Sequence, residues 1–146
     1  MADFGPRYIK EYNVLSNLVF ADCYSEIIQG TFTDTLTASQ KYQFYLGNSS
    51  KDLNDEIHYP IFAKAGSRTL QIMGKRSSDN GILSVYLDDA LKGTIDLYRS
   101  MTLYNSFSPL ALTLSVTKMY TLKLKVTDKN ASSSNYAFFI TWIRIV

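Results

Sequence analysis

From about residue 26 onward the apolar positions recur every second residue, the period of a strand whose successive side chains point to opposite faces. Residues 119 to 127 show it most cleanly: Tyr120, Leu122, Leu124 and Val126 fall on one face, and Thr121, Lys123, Lys125 and Thr127 on the other. A helix would scatter both sets around its circumference. Leu83, Val85 and Leu87 repeat the pattern, with Leu70 and Ile72 inward in the preceding segment. Phe44, in register with Tyr42 and Leu46, alternates with Lys41, Gln43 and Tyr45. Ile57, Tyr59 and Ile61 make another set, interrupted by Pro60, whose missing amide donor predicts an edge strand or a bulge. Residues 136 to 146 are apolar on both sides, so they predict a central strand covered on both faces.

Turn chemistry falls between these runs. Ser77-Ser78-Asp79-Asn80-Gly81 supplies an Asn-Gly step that accepts positive φ, Asp88-Asp89-Ala90 closes the next hairpin, and residues 128 to 135 form a Ser-rich loop before the last strand. The strands predict an all-β fold, a jelly-roll β-sandwich of about eight antiparallel strands. The first 25 residues read differently. Tyr8, Tyr12, Leu15 and Val19 recur at helical spacing after Pro6. An N-terminal arm, a short helix and a first strand of the sandwich all fit this segment. We therefore divide the chain into a docking segment, 1–25, and a sandwich domain, 26–146. As an arm, the segment would present Tyr8, Ile9, Tyr12 and Leu15 to a capsid shell or to a neighbouring subunit.

At 146 residues the chain is one domain, and 46% hydrophobic content suffices for a core. The net charge of +2 leaves no basic surplus of the kind a nucleic-acid binder needs. No apolar run is long enough to span a bilayer as a helix, and the N-terminus lacks signal-peptide character, which predicts synthesis in a cytoplasm. The single cysteine, Cys23, has no internal partner.

Catalytic chemistry is sparse. One histidine, His58, excludes His-rich metal motifs, and its place between Ile57 and Tyr59 predicts a surface-facing structural residue. Cys23 carries no nucleophile signature and reads as an inert, partly buried thiol. Asp88-Asp89 reads as a turn rather than a glycosidase pair. Asp52, Asn54, Asp55 and Glu56 form an acidic loop without the spaced frame of a calcium site, so a solvated loop is expected. No Gly-x-Gly occurs, and no cofactor is expected. The match of Asn48-Ser49-Ser50 to a glycosylation acceptor is read as chance. Binding is what remains. The aromatic fraction is 14%, with 11 tyrosines, and Tyr98 and Tyr104 are candidates for ligand contact because tyrosine offers rigid amphipathic area.

Two groups of residues carry a resemblance. Residues 81 to 98, from Gly81-Ile82-Leu83-Ser84-Val85-Tyr86-Leu87-Asp88-Asp89 to Gly93-Thr94-Ile95-Asp96-Leu97-Tyr98, resemble the central hairpin of small jelly-roll domains in tailed-phage structural proteins. Tyr120 to Thr127, Lys129 to Ser134 and Ile140 to Ile145 resemble the same family's closing strands and loop. Galactose-binding-like carbohydrate modules are more distantly similar. The family usually places Gly where this chain has Asp89 or Ala90. The resemblance implies a virion component without catalytic residues, foremost a capsid decoration protein. Its expected partners are a major capsid protein and further copies of itself, a trimer among the options. The alternative is a glycan-binding or receptor-binding module of a head or tail fibre.

Overall fold

The computed structural model describes residues 17–37 and 43–146, and its described part is all β. Eleven strands are described: β1 (Leu18–Phe20), β2 (Glu26–Gln29), β3 (Phe32–Thr37), β4 (Gln43–Asn48), β5 (Glu56–Ala63), β6 (Gly66–Arg76), β7 (Ile82–Leu87), β8 (Ala90–Asp96), β9 (Leu103–Leu114), β10 (Lys118–Asp128) and β11 (Phe139–Ile145). They form two antiparallel sheets. The first runs β3-β4-β11-β6-β9, with β1 pairing with β11 end to end with β4; the second runs β2-β5-β10-β7-β8. The two inner faces meet in one apolar core, as in a sandwich.

The alternating runs end where the period places them. Leu122, Leu124 and Val126 on β10, Leu83 and Val85 on β7, and Ile57, Tyr59 and Ile61 on β5 are fully buried. Tyr59 keeps its hydroxyl satisfied in this apolar setting by donating to the Ala21 carbonyl at 2.7 Å. Asp88 and Asp89 both take positive φ, 48° and 66°, the conformation of a two-residue type I′ hairpin between β7 and β8. Pro60 sits beyond the point where β2 stops. The Ser25 N–H donates to the His58 carbonyl, so the backbone of Pro60 two residues on faces the same side, where a donor would have no strand to meet.

Four features depart from the sequence reading. There are more strands than the expected eight or so, because β1 and β2 are too short to show a period and β9 buries Ser106 and Ser108 while turning Phe107 outward. Ser77 to Gly81 is not a positive-φ hairpin. It carries the chain from the first sheet to the second and is held by side chains, with Asn80 Nδ2 donating to the Lys75 carbonyl at 2.8 Å and Ser133 Oγ donating to the Asn80 carbonyl at 2.7 Å. Tyr45 is buried to 2% although it alternates with the core-facing Leu46. β11 is central, as expected, but only one of its faces meets the core. A bulge between Ile140 and Trp142 breaks the alternation, so Ile140, Ile143 and Ile145 point inward while Phe139, Trp142 and Arg144 lie on the outer face.

Of the segment 1–25, residues 18–20 form β1, with Val19 fully buried in the core. Tyr8, Ile9, Tyr12 and Leu15 lie outside the described residues.

Candidate ligand-binding face

The outer face of the first sheet gathers aromatic side chains from four strands. Register pairs Phe20 with Trp142, Trp142 with Met73, and Met73 with Phe107, so one row crosses β1, β11, β6 and β9. Side chains in such a row share one face of the sheet. Phe107 meets Trp142 edge to face, with centroids 5.4 Å apart. Phe20 is 56% and Phe107 48% exposed, which leaves both open to a partner.

Arg144 lies beside this row. Its guanidinium carbon is 5.1 Å from the Trp142 ring centroid and 5.9 Å from that of Phe107, and its Nε donates to Gln71 Oε1 at 2.6 Å. Gln71 is its register partner on β6, so strand pairing itself delivers the acceptor. Toward the other end of the face, the Lys75 ammonium sits 3.8 Å above the centroid of Phe139, again a register partner. Burial pulls the Lys75 pKa below the usual lysine value; Asp79 acts against that shift and Lys51 with it.

Tyr45 and Tyr104 also meet on this face. They belong to β4 and β9, three strand steps or about 14 Å apart in a flat sheet. Their ring centroids are nevertheless 6.0 Å apart. The rings therefore lean toward each other across β11 and β6. Burial raises the Tyr45 phenol pKa, opposed by the hydrogen bond from the Asn105 backbone. Asn105 itself takes a φ of 50° beside a register shift between β6 and β9. A shallow hollow continues past Phe139, lined by Thr33, Thr35, Gly47 and Lys51.

The two tyrosines singled out from the sequence have different roles. Tyr104 is part of this face. Tyr98 lies in the connection from β8 to β9, where its carbonyl accepts from Arg76 Nη2 at 3.1 Å and its N–H donates to Asp96 at 2.9 Å. The structure adds Phe20, Trp142, Phe107, Arg144 and Lys75. The available signal for Phe107 was the Ser106-Phe107-Ser108 alternation, which reads outward only if the serines are the buried partners.

Other candidate chemistry is engaged elsewhere. His58 lies on the outer face of the second sheet, as the sequence reading expects, with Nε2 at 2.7 Å from Glu56 Oε1. Cys23 contacts Asp22, and burial pushes its thiol up to about 11, with the Asp22 charge adding to the shift. The acidic loop is divided: Asp55 is fully buried and accepts from Asn48, Ser50 and the Asp52 N–H, whereas Glu56 faces His58 on the sheet. Asn48 is fully buried, which closes it to glycosylation in the folded chain. A hollow of about 310 Å³ at the far end is lined by Asn17, Phe62, Lys64, Arg68, Ile145 and Val146. There Arg68 is spent on the carbonyls of Lys64 and Ala65, which leaves few groups to recognise a ligand.

No family model and no curated protein matches the chain. Solved structures do share its fold. A xanthan lyase from Paenibacillus superposes with a TM-score of 0.72 at 18% identity over 89% of this chain, which spans only 13% of that enzyme. A family 6 carbohydrate-binding module from Clostridium cellulolyticum, solved with xylose, has a TM-score of 0.61 at 17% identity, covering 90% of this chain and 97% of the module. A β-1,3-glucan-binding family 6 module from Bacillus halodurans has a TM-score of 0.61 at 10% identity, covering 89% and 95%. The expected all-β sandwich thus stands, and these carbohydrate-binding modules share its fold.

Proposed function

We propose that this protein is a carbohydrate-binding domain that holds a glycan against the aromatic outer face of its first sheet. The carrying observation is the register-aligned row Phe20, Trp142, Met73 and Phe107, with its two ends exposed. A sugar ring has an apolar C–H face and a polar rim. Flat aromatic rings take the first, and flanking polar groups such as Gln71 and Arg144 take the second. Carbohydrate-binding modules of the same fold, among them the one solved with xylose, support this reading. They favour the glycan-binding alternative and lend nothing to the capsid-decoration reading. Placement on a virion surface, where such a face would meet a host glycan, is a separate proposal, tested by mass spectrometry of purified particles.

The test is titration calorimetry with xylotetraose, laminaritetraose and tetragalacturonate. Binding in the micromolar to millimolar range, abolished by Trp142→Ala and kept by Leu91→Ala on the second sheet, is expected. No binding by the folded wild type to any of the three would end the reading.

A further inference from the structure

We propose that the glycan taken by this face is anionic, its carboxylate received by the Arg144 guanidinium and a second negative group by Lys75. This rests on the face being the glycan site.

On the second sheet the three lysines of β10 are paired with carboxylates: Lys123 lies 2.8 Å from Asp89, Lys125 lies 3.7 Å from Glu56, and Lys118 contacts Asp88. Lys51, at the margin of the candidate face, is taken by Asp79 at 3.0 Å. Arg144 and Lys75 make no ion pair among the described residues. Nor do the described outward positions of the strands forming this face carry any Asp or Glu; they offer apolar, aromatic and neutral polar side chains such as Phe20, Thr33, Gln71, Met73 and Phe107. The outward positions of the face therefore hold two cations and no carboxylate; Asp79, whose charge reaches Lys75 from the loop after β6, is itself paired with Lys51.

Arg144 is also prepared for such a ligand. Its Nε is fixed by Gln71 and its plane lies beside two rings, while its terminal amino groups have no hydrogen-bond partner among the described residues. A guanidinium presenting a free fork in a fixed plane matches the two oxygens of a carboxylate, which makes this a directional site and not only a positive one. Lys75 lies four residues along β6 from Gln71, about 13 Å away, so the pair suits a chain bearing charge on more than one sugar.

The experiment compares tetragalacturonate with xylotetraose by calorimetry, using the wild type, Arg144→Gln, Lys75→Gln and Lys64→Gln, the last removing an exposed charge at the far end. The expected result is at least about tenfold tighter binding of tetragalacturonate, weakened by added salt, reduced in both face variants and retained in Lys64→Gln. Equal or tighter binding of xylotetraose, or unchanged tetragalacturonate binding by Arg144→Gln, would overturn the inference and leave glycan binding standing. Binding of neither sugar would overturn both.

Discussion

Asn48 and Asp55 meet in the interior with no exposure, the Asn48 amide donating to the Asp55 carboxylate at 2.8 Å. The same amide donates to the Tyr136 carbonyl at 2.9 Å, and its oxygen accepts from the Phe138 N–H at 2.7 Å. One side chain thus ties the end of β4 to the loop before β5 and to the approach of β11, the two strands that carry Tyr45 and Phe139. Asn48→Ala takes one of three donors from the buried Asp55 carboxylate and leaves the Tyr136 carbonyl and the Phe138 N–H without their partner. A loss of about 3 kcal/mol is expected in urea unfolding. A change under about 1 kcal/mol would mean that water replaces the amide.

Gly74 is the point at which β6 passes the β11 bulge. A Cβ placed there would lie 2.0 Å from the Phe139 carbonyl oxygen, and neither backbone can give way without losing the pairing. Gly74→Ala should cost about 2 kcal/mol or more. It should also weaken oligosaccharide binding, because Phe139 and Trp142 shift with the strand. Unfolding and calorimetry on the same variant check both effects, and wild-type values in either would contradict the close approach.

Asp79 gives a pH-dependent contribution. Partial burial raises its pKa, but the Ser77 hydroxyl and the Lys51 ammonium outweigh that and hold the carboxyl below its usual value of 3.8. The folded state therefore binds this proton less readily than the unfolded chain. The resulting stabilisation is complete above the ordinary carboxylate range and is lost as pH falls from about 3.8 through the lowered value. The stability gap between wild type and Asp79→Asn should be constant near neutrality and shrink in acid. A gap that widens in acid would contradict the sign.

Cys23 should be nearly inert at neutral pH. With burial raising its thiol to about 11, only about one molecule in a thousand carries a thiolate at about pH 8. Its reaction with a disulfide reagent should run far below that of a free cysteine and rise to the free rate on unfolding in urea. A fast reaction in the native state would contradict the burial.

Where burial is one-sided and the ladder regular, the chain announces its structure. Tyr120, Leu122, Leu124 and Val126 against Thr121, Lys123, Lys125 and Thr127 could only be a strand with one face on a core, and β10 is that strand. The hairpin at Asp88-Asp89 was legible for a similar reason, since Asp tolerates positive φ at both central positions. The candidate site was less legible. Tyr104 was named among the ligand candidates, but Trp142 and Phe107 look in sequence like core residues; the bulge near Thr141 turns the first outward and the burial of Ser106 and Ser108 the second.

The order of apolar and polar residues by itself determined that this protein is an all-β sandwich, because a period of two can satisfy both core and water only on a pleated sheet. The tertiary structure decided which aromatic residues face outward. Phe20, Trp142, Met73 and Phe107 lie far apart along the chain and become one row only when β1, β11, β6 and β9 pair in register. A single bulged residue is enough to choose the face on which Trp142 and Arg144 stand, since a shift of one position turns every later side chain over.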